Sequence, residues 1–156
     1  MGMTYVTVHI RKKDEIKREV IKEIVERITE KITDGDCYIN QEEFLTIIPS
    51  AIEIENVEST AEELSWELAI PVLTIMIFDS EVVVIQLYNK GQIEIEFVKS
   101  FEANKDMDID KFIRILEVDC KARDIEEALS KGEVFAEEIL YSLGDILNVD
   151  LLLTND

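Results

Sequence analysis

Between Thr4 and Ile10 the chain alternates, with Val6, Val8 and Ile10 on one side and Tyr5, Thr7 and His9 on the other. A period of two predicts a strand with one strongly apolar face. The period then lengthens. Ile16, Val20, Ile24, Ile28 and Ile32 fall four apart, and Ile21 and Val25 widen the same stripe. That spacing predicts an amphipathic helix of about 18 residues with Glu, Lys and Arg on its other side. Asp14 stands where an N-cap belongs.

Past Gly35 the pattern changes again. Phe44 to Ile48 is β-branched and runs into Pro49, which predicts a strand ending there. Ile52 and Ile54 alternate with Glu53 and Glu55, reading as a short exposed extension. Ser59 and Glu62 have the spacing of a capping box, and Ala61, Leu64 and Leu68 form the inner stripe of a helix that ends before Pro71. Three strands follow, PVLTIMIFD, EVVVIQLYN and GQIEIEFV, joined by turns at Asp79-Ser80 and Asn89-Lys90-Gly91. The first two are apolar on both faces and belong in the centre of a sheet. The third alternates Ile93, Ile95 and Phe97 with Gln92, Glu94 and Glu96, so one of its faces meets water.

From Asp106 on, the periodicity is helical. Ile109, Phe112, Ile113 and Leu116 share one face, Ile125, Ala128 and Leu129 a second, and Phe135, Ile139, Leu140, Leu143 and Leu147 a third. The order is β-α-β-(β)-α-β-β-β and then helices. It predicts an α+β fold: a ferredoxin-like split β-α-β core, extra antiparallel hairpin strands and a helical C-terminal segment. One domain spans 1–156, with the sheet-containing core in 1–99 and the helical segment 106–147 packed on it. The glycine motifs of P-loop and dinucleotide-binding folds are missing.

Charge narrows the function. The chain carries 35 acids against 16 bases, a net charge of −19, with 47% hydrophobic residues over 156 positions. Such a surface repels nucleic-acid phosphates and anionic lipid and attracts a basic protein. No apolar run approaches membrane-span length. Cys37 and Cys120 lie far apart with no CxxC, the pattern of reduced thiols, so a soluble cytoplasmic protein is expected.

Residues 34–44, DGDCYINQEEF, raise a question of metal binding. With Glu43 at the twelfth position of a calcium loop, Asp34, Asp36 and Asn40 fall on ligand positions and Ile39 on the central apolar one. The first position is then Ile32, which supplies no carboxylate. The sixth is Cys37 where glycine is required. FLTIIP does not start the exiting helix. The reading is a turn, with no metal site and no cofactor; a calcium ion would have to use Asp34, Asp36, Asn40 and Glu43.

Candidate chemistry elsewhere is thin. His9 is the only histidine. It shares a strand face with Tyr5 and Thr7, has no sequence-identifiable nucleophile partner, and reads as structural or surface. Asp79 and Glu81 flank Ser80 at the end of a central strand, where turn chemistry accounts for them. Trp66 lies between the inward Leu64 and Leu68 and points partly sideways, where a hydrophobic contact surface is the alternative to the expected core or boundary packing. No catalytic residue is assigned.

One segment, residues 61–97, resembles the central part of a group of uncharacterised small bacterial proteins. It does so through Leu64-Ser65, Pro71-Val72-Leu73, the Asp79-Ser80 turn with Val82, Tyr88 and Gly91. Glu81 replaces the second Asp of the turn. The likeness implies an interaction role, since immunity proteins that neutralise toxins share this size and acidity. The expectation is a non-enzymatic acidic protein that binds a basic protein, in the form of an immunity-type toxin inhibitor. Asp34, Asp36, Glu94 and Glu96 are its candidate contacts. The alternative is a small-ligand-binding protein or a carboxylate-dependent hydrolase.

Overall fold

The computed structural model describes residues 4–12, 18–29, 38–49, 52–131 and 136–153. The elements in chain order are β1 (Tyr5–Arg11), α1 (Arg18–Thr29), β2 (Tyr38–Gln41), β3 (Phe44–Ile47) and a 3-10 turn (Ile54–Asn56). Then come α2 (Val57–Leu68), β4 (Val72–Phe78), β5 (Val82–Asn89), β6 (Gln92–Lys99), α3 (Ile109–Leu116), α4 (Ala122–Leu129) and α5 (Glu137–Leu147). Asp14, Ile32, Asp34, Asp36, Cys37 and Phe135 lie outside the described residues.

The strands form one sheet in the order β2-β3-β1-β4-β5-β6, with every neighbouring pair antiparallel. Strands β3 and β4 are joined through α2, yet β1 lies between them and runs antiparallel to both. The crossover is therefore split by the first strand, and the β4-β5-β6 meander extends the sheet. Helices and an antiparallel sheet together make the α+β class expected from the periodicity.

Helices cover both faces, so β1 and β4 are buried on both sides. Val6, Val8 and Ile10 of β1 pack with Ile21, Ile24 and Val25 of α1 and with Ala61 and Leu64 of α2. On the opposite face Leu73, Ile75 and Ile77 of β4 and Val83, Ile85 and Leu87 of β5 meet Phe112, Ile125, Ile139 and Leu143. Full burial of each such side chain stabilises the fold by roughly 1.5–3 kcal/mol. No described helix is long and apolar enough to cross a membrane.

Two local expectations are corrected. The additional strand is not at 52–55, where Ile54–Asn56 forms a 3-10 turn and Ile52 is buried. It is Tyr38–Gln41, which pairs with β3 as a hairpin whose turn sets Glu42 at φ 46°. That turn carries no Gly or Asn to announce it. Ser59 and Glu62 do not cap α2 either. The helix starts two residues before Ser59, at Val57, with Asn56 as N-cap and no side-chain cap bond. Burial of Val57 and Thr60 in the first turn outweighs a cap of about 1 kcal/mol.

The two hairpin turns that the sequence announces are formed. Asp79 and Ser80 sit at φ 51° and 57°, and Glu81 N–H closes the turn on the Phe78 carbonyl at 3.0 Å. Lys90 and Gly91 sit at φ 53° and 81° between the paired Asn89 and Gln92. Positive φ at both central residues matches the twist of the flanking strands.

Candidate functional site

Alternation along β1 places Thr7 and His9 on the face that receives the C-terminal helices, and both are buried. The His9 ring joins two hydroxyls: Nε2 is 2.8 Å from Thr7 Oγ1 and Nδ1 is 2.8 Å from Thr46 Oγ1. Thr7 Oγ1 donates to the Leu151 carbonyl at 2.6 Å, so it accepts from His9 Nε2–H. The same N–H reaches the Leu151 carbonyl at 3.2 Å. Nδ1 is then the acceptor, taking the Thr46 hydroxyl proton, while Thr46 Oγ1 accepts from Gln41 Nε2 at 2.9 Å.

The chain of bonds runs one way, from the Gln41 amide through Thr46, His9 and Thr7 to Leu151, and it uses a neutral Nε2–H imidazole. Gln41 also exchanges bonds with the Asp150 backbone, donating to its carbonyl at 3.1 Å and accepting from its N–H at 2.8 Å. His9 is thus a structural clasp that holds residues 150–151 against β1, β2 and β3. Burial drives its pKa down to about 4, against smaller upward pulls from the Leu151 carbonyl and the Asp150 charge.

Of the candidate calcium residues, Asn40 and Glu43 are described. Asn40 is on β2, and Glu43 is in the hairpin turn beside Arg11, with Glu43 Oε2 at 3.5 Å from Arg11 Nη2. Arg11 also donates to the Leu116 and Glu117 carbonyls at 2.8 and 3.0 Å, binding the C-terminus of α3 where a cation complements the helix dipole. Strand β3, not an exiting helix, follows Glu43. Among the described residues no group of three or more His, Cys, Asp or Glu is placed to hold a metal. Calorimetric titration with calcium should show nothing tighter than about millimolar, the weak end of such loops. Micromolar binding that disappears in Glu43→Ala would contradict this.

The other acids expected at a site are engaged structurally. Ser80, between Asp79 and Glu81, donates to the buried Glu137 carboxylate, and the Ser80 carbonyl accepts from Ala136 N–H at 3.1 Å. That turn docks the start of α5 and is not a carboxylate pair poised over a cleft. Glu94 and Glu96 are half-buried rather than exposed. Glu94 pairs with Lys111 Nζ at 3.1 Å, and Glu96 accepts from Gln86 at 2.7 Å and Lys105 at 3.3 Å. The Gln86 bond is the main reason the Glu96 pKa falls. Burial, with Asp119 and Asp124 adding to it, pushes the Cys120 thiol up, away from nucleophile chemistry.

An acidic surface lies instead on α2. Its twelve residues include Glu58, Glu62, Glu63 and Glu67 and no base. Ser59, Glu62, Glu63 and Trp66 line its outer side at helical spacing. With Ile28 and the Lys90-Gly91-Gln92 turn they wall a groove of about 500 Å³. Trp66 is 68% exposed, not packed at a boundary. Its stem and one edge of its ring rest on the hairpin: a Cβ on Gly91 would meet Trp66 Cβ at 3.4 Å and the ring atom Cε3 at 3.5 Å.

Ser65 fixes that junction. Its hydroxyl donates to the Glu62 carbonyl at 3.1 Å and accepts from Gly91 N–H at 2.9 Å. Ser65→Ala should destabilise the protein by about 1 kcal/mol, measured by urea denaturation, because Gly91 N–H loses its acceptor. No change would mean that water replaces the hydroxyl. Arg27 pairs with Glu63, but among the described residues no cation pairs with Glu58, Glu62 or Glu67. Burial raises the Glu62 pKa, and the charge of Glu58 and a side-chain hydrogen bond with it raise it further.

A second groove, of about 940 Å³, lies beside β2 and the end of α5, lined by Ile39, Asn40, Tyr141, Asp145 and Asn148 among others. No protein-family model, curated protein or solved structure matches the chain.

Proposed function

We propose that this protein acts by binding a basic protein, as an immunity-type inhibitor of a basic toxin does, and not by catalysis. The net charge of −19 on 156 residues carries this reading. A field of that sign accelerates encounter with a cationic surface and disfavours acidic ones. The engagement of His9, Asp79–Ser80 and Cys120 in structural roles agrees with it. So does the exposed Trp66, because indoles anchor many interfaces.

Affinity capture from the native host's lysate tests the proposal. The expected result is a basic partner whose association slows steeply with added salt, since screening shortens the field to about 8 Å at physiological ionic strength. Recovery of only neutral or acidic partners, bound without salt dependence, would leave the acidity as a solubility device. A second reading, binding of a small polar ligand, is favoured by the groove beside β2, where amides and carboxylates accompany Tyr141. A thermal-shift screen that gives saturable stabilisation abolished by Asn148→Ala would establish it.

A further inference from the structure

We infer that the groove between α2 and the β5–β6 turn is the docking point for an arginine side chain on the partner's surface. The inference rests on the basic-partner reading and specifies where and how the partner is held.

The geometry supplies both halves of an arginine site. Trp66 is two-thirds exposed, and the Gly91 turn holds its stem and one ring edge, leaving the rest of the indole open. A guanidinium stacks on such a face while keeping its donors free at its edges. Glu62 is one helical turn before Trp66 on the same wall, and its carboxylate is a bidentate acceptor for that fork. The electrostatics favour a cation. Burial and Glu58, through its charge and a shared side-chain hydrogen bond, hold the Glu62 pKa above the ordinary carboxylate value, and among the described residues no cation pairs with either acid. An entering cation relieves that repulsion.

Lys90, on the hairpin side of the groove, is the one cation among its described lining residues. It confines the acidic wall to α2 and gives the incoming charge a direction. The wall itself is rigid. Ser65 bonds α2 to Gly91, and Leu64 and Ala61 anchor the helix in the core, so little ordering is required on binding.

Trp66 is the only tryptophan, so its fluorescence reports this groove alone. The full chain is titrated at low salt with a short peptide of alternating arginine and glycine, and with its lysine and glutamate counterparts. The arginine peptide should change the emission saturably, the lysine peptide should bind more weakly, and the glutamate peptide should do nothing.

Calorimetry with the arginine peptide then compares variants. Trp66→Ala and Glu62→Gln should each weaken binding about tenfold, the scale of a cation–π contact or charged hydrogen bond removed. Glu138→Gln, which removes an exposed acid on α5 across the sheet, should change it less than twofold. Arginine-peptide affinity unaltered by Trp66→Ala, or lowered equally by Glu138→Gln, overturns the groove and leaves the basic-partner reading standing. Failure of every basic peptide to bind at low salt overturns both.

Discussion

Lowering the pH from 7 to 4 should remove roughly 3 kcal/mol of stability that a His9→Gln variant does not lose. In the unfolded chain His9 titrates near its ordinary 6.5, whereas in the fold its pKa is about 4. Between those values the unfolded state binds a proton that the native state refuses, so stability rises with pH across the window. The contribution is complete above about 6.5, falls as pH drops, and is fully lost below about 4. The pKa difference, at 1.36 kcal/mol per unit, sets the magnitude.

The cause is the direction of the bonded chain. Protonating Nδ1 would put a donor opposite the Thr46 hydroxyl, whose oxygen already accepts from Gln41. The hydroxyl can turn away, but the charge would remain in a site with no exposed surface. Among the described residues Asp150 is the carboxylate that acts on it, and it offsets burial only in part. Carboxylates titrate in the same range, and loss of −19 units of self-repulsion favours the fold as pH falls. Urea denaturation of wild type and variant at both pH values cancels those shared terms. Equal pH dependence in the two proteins would mean that water reaches the clasp.

How much of this was written in the sequence varies with the range of the interaction. Strands β4, β5 and β6 and their turns were legible because period, turn residues and Gly91 are local signals. The inward faces of α3, α4 and α5 were legible for the same reason. The β2–β3 hairpin was not, because Glu42 adopts its positive φ without a residue type that advertises it. The alternation in β1 showed that His9 shares a face with Thr7, but not what closes over that face. Its partners, Thr46 and Leu151, lie 37 and 142 positions away.

Trp66 was misplaced by its neighbours. Flanked by inward leucines, it reads as boundary packing, while its 68% exposure depends on where the β5–β6 turn ends against α2. Glu94 and Glu96 alternate as solvent-facing residues should, yet Lys111 and Lys105 reach back to them from outside the strand. Pattern gives the side of an element. It does not give the charge that a distant segment brings to that side.

The segment after α5 shows the same limit and supports the last prediction. Gly144 falls inside α5, where alanine would ordinarily stabilise a helix by about 1 kcal/mol. Here Gly144→Ala should destabilise the protein by about 2 kcal/mol. A Cβ at this position would sit 2.5 Å from the Val149 carbonyl oxygen, a contact with backbone that no rotamer change relieves. The carbonyl cannot simply withdraw. Asn148 turns the chain at φ 58°, Val149 N–H bonds the Gly144 carbonyl at 2.9 Å, and the next residues enter the His9 clasp. Overpacking of this kind costs about 3 kcal/mol, which exceeds the propensity gained. Because the displaced carbonyl belongs to the clasped segment, the damage should travel. In Gly144→Ala the Asp150 and Leu152 amides should lose hydrogen-exchange protection before those of β4 do. A variant as stable as wild type, with those amides still protected, would show that α5 can shift as a body and that the close approach is not a constraint.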